Sequence, residues 1–385
     1  MSRSVLLLVL FHTLAGCDAG TSTGAHDGGA APDAARAPDA AAADAGTPAP
    51  DGGASDAATS DQDADGVDAA VVDAGPVLPS RLRVSGRDVL DPDGHPIVLR
   101  GYNWGQFGTA LEEDAHANHV QGANSVRIPL RWWGDWRDGV DSRDPDAPGH
   151  VSPTQLATLD AMIDWASAEG LWIVLFVDSN YGQGASGTEG DFWSNAPMRQ
   201  QFWDVWRFLV MRYRDRAYLG AYEILPEPRH DGPNADVRAF YDEGIAVIRA
   251  LDTTTPIVVG PNDGYNVANI EDAYTTADAN LVYTANLFIF DNTLARVPRF
   301  ATFRDAHTVP MWVNQVGIDD DSATALASAD AILDALDRER LGWAWWTYRS
   351  RTTQRAAHGI YYTGPTGEWT VKPEWLALLG RWLAR

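Results

Sequence analysis

From residue 80 to the C-terminus, short apolar runs alternate with longer stretches in which apolar residues recur at helical spacing. The runs are "SVRIPL" (125–130), "LWIVLFV" (171–177), "GAYEILPE" (220–227), "PIVVG" (256–260), "LVYTANLFIF" (281–290), "PMWVNQVG" (310–317) and "GWAWWTY" (342–348). Between them lie patterns such as "TQLATLDAMIDWASAEG" (154–170), where Leu156, Leu159, Ile163 and Trp165 to Ala166 form one stripe and Gly170 ends it. Counting "IVLRGYNW" (97–104) as the first strand makes eight strands, nearly all followed by helices. Continuous apolar strands alternating with helices predict a parallel sheet, and eight over about 300 residues predict a closed (β/α)8 barrel of the TIM type. An open doubly wound sheet is the alternative, but no G-x-G-x-x-G or Walker pattern follows any strand to give it a nucleotide role. Ahead of the barrel, "RLRVSGRDVLDPDGHPIVLRG" (81–101) predicts a short β-hairpin turning at Pro-Asp-Gly.

The first 79 residues follow a different pattern. Arg3, the apolar "VLLLVLF" (5–11) and "LAGC" (14–17) make a signal segment that resembles a bacterial lipobox, with Cys17 as the lipidated residue. Residues 1–17 are therefore read as a lipoprotein-type signal peptide, and the mature chain as an exported cell-envelope lipoprotein held on a membrane surface by acyl chains at Cys17. Residues 18–79 contain twelve Asp and one Arg, with almost no large apolar residue before Val71, which predicts a disordered acidic tether. Within it, "DQDADGVD" (61–68) has the start of a calcium loop without the closing Glu. Residues 80–385 form the barrel domain, expected to be monomeric.

Charge and composition narrow the partners. The net charge is −24, of which −14 belongs to the barrel domain, so nucleic acid is excluded as a partner. One Cys excludes an internal disulfide and a Cys-based zinc site, and the two His of "HANH" (116–119) have no third ligand nearby in sequence. No metal and no cofactor are expected.

In such a barrel the chemistry sits at the C-terminal ends of the strands. There the sequence puts Asn103 and Trp104, Arg127, Asp178 to Asn180, Glu223 and Glu227, Asn262 and Asp263, Asn286 and Phe288, Asn314 and Gln315, and Trp345 and Trp346. Alternation places Glu223 deeper than Glu227 on one face, with Arg127 as the partner a buried Glu223 needs. Trp132 and Trp133 are adjacent, so one is expected in the core and one exposed, where aromatic faces suit sugar rings.

Six landmarks in order, "LDPDGHPIVLRGYNWGQ", "NSVRIPLRWW", "GLWIVLFVDSN", "GAYEILPEP", "VPMWVNQVG" and "GWAWWTY", resemble glycoside hydrolase family 5, the cellulase-like retaining glycosidases, over residues 81–385. The resemblance implies cleavage of β-linked glycans by an acid/base Glu after the fourth strand and a nucleophile Glu after the seventh. Those positions fall on Glu227 and Gln315, with Arg127 and Trp346 (or the adjacent Trp345) as further site residues. Trp104, Trp132, Trp133, Asp178 and Asn286 are the remaining substrate-binding candidates. Departures are several: Pro226 stands where the family has Asn, Ser179 and Asn286 where it has His, and Phe288 where it has Tyr.

The amide at 315 changes the expected chemistry. A retaining glycosidase needs a second carboxylate about 5–5.5 Å from its acid to attack the anomeric carbon. An amide supplies neither the charge nor a glycosyl ester, and its neutrality favours ionised Glu227, which cannot protonate a leaving group. The expectation is a tethered barrel that binds a β-glycan or oligosaccharide with retaining hydrolysis impaired or lost. The alternative is an active O-glycosyl hydrolase, with Glu227 as acid/base and Asp178, Asp263, Asp291 or Asp319 in a rearranged role. A protein-interaction scaffold is a third reading.

Overall fold

A computed structural model of the chain describes residues 81–132, 140–178, 193–289, 293–352, 358–363 and 366–385. The signal segment, Cys17, the tether with its 61–68 loop, Trp133, Ser179 and Asp291 lie outside the described residues.

Eight parallel strands close into a barrel: β4 (Arg100–Asn103), β5 (Ser125–Arg131), β6 (Trp172–Asp178), β7 (Leu219–Glu223), β8 (Ile257–Val259), β9 (Leu281–Phe288), β10 (Met311–Gly317) and β11 (Gly342–Trp345), with β11 pairing back onto β4. Every residue of β5, β6, β7 and β10 is buried, which is why these strands read as unbroken apolar runs. The chain enters through β1 (Arg83–Ser85), β2 (Asp88–Leu90) and β3 (Pro96–Ile97), a three-stranded antiparallel sheet. The predicted hairpin thus has a third strand, and "IVLRGYNW" is split: Ile97 closes the small sheet, and the barrel begins at Arg100. A second small sheet, β12 (Arg349–Ser350), β13 (Tyr361–Thr363) and β14 (Trp369–Val371), follows the last barrel strand.

Side-chain alternation divides the core in two. Trp172, Val174, Ala221, Val258, Val282, Trp312 and Ala344 point into the barrel and pack with Leu82, Val89 and Leu99 of the entry segment, which closes the barrel's N-terminal end. Outward residues such as Ile173, Leu175, Tyr222 and Ile257 pack beneath the helices. The helix Pro153–Ala168 starts on Pro at its first turn and buries Leu159, Met162, Ile163 and Ala166. Gly170, at φ +71°, turns the chain into β6. After β8 there is no long helix; a 3-10 segment, Val267–Ala273, fills its place.

Candidate active site

Above the apolar plug, the same alternation produces a polar layer. Arg127 and Glu223 are both fully buried; Arg127 Nε and Nη2 donate to Glu223 Oε2 and Oε1 at 2.5 and 2.8 Å. Arg127 Nη1 also donates to Asn103 Oδ1 at 2.8 Å, and its guanidinium lies 3.7 Å from the Phe176 ring centre. Asn314 Nδ2 completes the cage on Glu223 Oε1 at 2.8 Å. A buried carboxylate is tolerated only when its lone pairs are filled in this way. Arg127 is therefore committed to Glu223, one layer below the mouth.

Glu227 reaches the mouth by a route that alternation does not describe. β7 stops at Glu223, and Glu227 stands in the left-handed region at φ +50°. For a non-glycine residue such a backbone persists only where its surroundings determine it. Two carbonyls just before Glu227 supply that constraint: Trp206 Nε1 donates to Ile224 O at 3.0 Å, and the hydroxyls of Tyr241 and Tyr265 both donate to Leu225 O, at 2.7 and 2.9 Å. Burial raises both phenols far above their ordinary titration range, so they stay O–H donors. On the other side, Asn262 clamps the His230 backbone, its Oδ1 accepting from His230 N at 2.9 Å and its Nδ2 donating to His230 O at 2.8 Å. The loop carrying Glu227 is pinned at both ends.

Two amides meet the carboxylate. Asn286 Nδ2 and Gln315 Nε2 donate to the same oxygen, Glu227 Oε1, at 2.6 and 2.9 Å. Asn286 and Gln315 are register partners on β9 and β10. The pairing of β10 shifts between Val313 and Val316, so consecutive residues serve two layers: Asn314 reaches down to Glu223 while Gln315 reaches up to Glu227. The position expected for a nucleophile thus touches the acid/base position directly, through a neutral N–H donor.

Trp346 follows β11, is half-buried, and donates from its backbone N–H to Val316 O at 2.7 Å, whereas Trp345 is buried against Trp375. Gly105 lies under the Trp346 ring; a Cβ there would come within 2.4 Å of it. Gly317, Phe288 and His358 cluster beside Trp346, and His358 Nδ1 contacts Asp319 Oδ1 at 2.6 Å.

Two expected binding residues are elsewhere. Trp104 is 1 % exposed and donates from Nε1 to Asn118 Oδ1, because alternation sends it to the opposite face from the inward-pointing Asn103. Trp132 is also 1 % exposed and belongs to the core. Neither ring offers a face to a sugar. Asp178 does stand at the end of β6 but is 6 % exposed and ion-paired with Arg131, a residue the sequence reading passed over. Arg131 shares strand parity with Arg127, a signal that would have found it. Of the other acidic candidates, Asp263 accepts from Asn266 and Asp319 is engaged by His358.

A closed (β/α)8 barrel with a pinned carboxylate after its fourth strand, facing a polar residue at the end of its seventh, is the frame of a glycan-active barrel protein. Residues 90–352 match the family model of cellulase, glycosyl hydrolase family 5, and the chain belongs to that family. It is 30 % identical over 213 residues to the probable glucan 1,3-beta-glucosidase A of Neosartorya fischeri, covering 53 % of this chain and 48 % of that protein. To endoglucanase E-5 of Thermobifida fusca it is 25 % identical over 286 residues, covering 70 % and 55 %. The chain spans about half the length of the curated relatives it matches. Among solved structures, an endo-beta-1,4-glucanase from Xanthomonas axonopodis pv. citri superposes with a TM-score of 0.59 at 15 % identity, covering 75 % of this chain and all of that one (100 %). An endogalactoceramidase superposes at 0.64 with 18 % identity, covering 80 % and 85 %. At these identities the structures share the fold.

Proposed function

We propose that this chain is a β-glycan-binding member of family 5 whose retaining hydrolysis has been lost, carried on an envelope membrane as a monomer by a lipid anchor at Cys17. The contact that carries the reading is Gln315 Nε2 on Glu227 Oε1 at 2.9 Å. A retaining reaction requires a carboxylate at that place to form the glycosyl ester, and an amide cannot form it. An inverting reaction would need a second carboxylate about 6.5–9.5 Å away with a free role toward water. Asp178, Asp263 and Asp319 are each already engaged by a neighbour.

Binding does not need the lost chemistry. Trp346 is half-buried and its backbone N–H donates to the carbonyl of Val316, the residue after Gln315, so it adds an aromatic ring to the convergent polar groups of Glu227, Asn286 and Gln315, the mix that sugar sites use. Affinity electrophoresis of the mature chain through gels containing a β-glucan, a β-mannan or a xylan tests this. Retardation by one of them, reduced by Trp346→Ala, is expected. Unretarded migration through all three would overturn the proposal.

A further inference from the structure

Arg229 follows Glu227 by two residues and is exposed. Its backbone carbonyl accepts from Trp193 Nε1 at 2.9 Å, which ties it to the pinned loop. Its guanidinium lies against Gly264: Nη2 is 2.8 Å and Cζ 3.2 Å from where a Gly264 Cβ would stand. Gly264 sits at φ +68° in a left-handed run from Asp263 (φ +61°) to Tyr265 (φ +60°). Gly264 O accepts from Asn286 Nδ2 at 3.2 Å, the same amide nitrogen that holds Glu227. The strained turn therefore provides a flat backbone seat for a cation one residue contact away from the reacting position.

That cation has no carboxylate partner among the described residues. In the layers below it, Arg127 is committed to Glu223 and Arg131 to Asp178. The barrel domain carries a net charge of −14, so carboxylates are abundant, yet among the described residues none forms an ion pair with Arg229. The amide at 315 points the same way. Where a retaining site has two carboxylates about 5–5.5 Å apart, the amide at 315 leaves one negative charge fewer, and Arg229 has no ion-pair partner among the described residues.

We infer that the cleft takes a β-linked glycan bearing carboxylate sugars, with Arg229 as the specificity-determining residue that reads the C6 carboxylate. A guanidinium fork matches a carboxylate with two parallel N–H donors, and a sugar carboxylate beside two enzymic carboxylates would be repelled. The overall negative charge of the domain opposes such a ligand at long range. At physiological salt the Debye length is about 8 Å, so the neighbouring charge governs the contact.

The inference rests on the cleft being a glycan site, and its test separates the two. The probes are oligosaccharides of the β-glycan retained in the electrophoresis panel, compared with the same oligosaccharides oxidised at C6 to uronates, titrated calorimetrically. The native chain is expected to bind the oxidised oligosaccharide about tenfold more tightly, as a charge-assisted pair provides. Arg229→Gln should abolish that preference while leaving the melting temperature unchanged, and Arg229→Lys should restore it in part. Equal binding of both probes by the native chain, or a preference that survives Arg229→Gln, would overturn the inference and leave the glycan site standing. Binding of neither probe would overturn both.

Discussion

Replacing Gln315 by glutamate would put two carboxylates where an amide and a carboxylate now touch. Gln315 Nε2 is 2.9 Å from Glu227 Oε1, and Gln315 is only 4 % exposed, so the new side chain has little room to turn away. Two unit charges about 4 Å apart repel by about 4 kcal/mol at an effective dielectric of about 20. Glu227 is half-buried, and solvent on that side reduces the repulsion to about 2–3 kcal/mol. The pair relieves it by sharing one proton, which keeps one carboxyl protonated above its ordinary range. The folded variant then holds more protons than its unfolded chain at pH values above about 4.3. Its stability relative to the native chain therefore falls as pH rises from there toward neutrality, and is pH-independent below. Melting curves from pH 4 to 8 should diverge by about 3–5 °C at the upper end, from about 1.5 °C per kcal/mol for a domain of about 300 residues. Parallel curves would refute the reasoning, because they would mean that residues 227 and 315 do not face each other in solution.

Three further outcomes follow from named contacts. Gly105→Ala sets a Cβ within 2.4 Å of the Trp346 ring, so glycan affinity should fall about tenfold as the ring is displaced, at a stability cost of about 1–3 kcal/mol; calorimetry beside thermal melting checks both. Arg127→Leu leaves Glu223 buried without its cation and should cost about 3–5 kcal/mol, most of it recovered when Glu223→Leu is added; a double change no better than the single one would contradict the pairing. At the barrel's other end, hydrogen bonds from Arg304 and Arg87 hold the Asp305 carboxyl at about 2. With its folded value below the unfolded one, this link contributes above about pH 4 and fades as pH falls toward that value; a carbon NMR titration of Asp305 with an ordinary midpoint would contradict it.

The barrel was legible because its strands are buried on both faces: the runs at 125–130, 171–177 and 310–317 each coincide to within a residue with a strand that is buried throughout. Strand parity, applied to every strand, would have turned Trp104 outward and brought Arg131 in. What parity cannot reveal is the position of Glu227. That depends on a left-handed backbone fixed by Tyr241, Tyr265 and Asn262, residues on elements far along the chain. The shift in β10 pairing that lets Asn314 and Gln315 serve different carboxylates is likewise a property of the assembled sheet, invisible in "MWVNQVG" alone.

The central claim is that the amide at 315 has ended retaining hydrolysis in a site that still holds sugar. The measurement that meets it most directly is reducing-end release from β-glucans, β-mannans and xylans by the mature chain, run beside Glu227→Gln. The account predicts no release above the blank by either protein. Release by the native chain that disappears in Glu227→Gln would contradict it, and would mean that another carboxylate has taken over the role of the missing nucleophile.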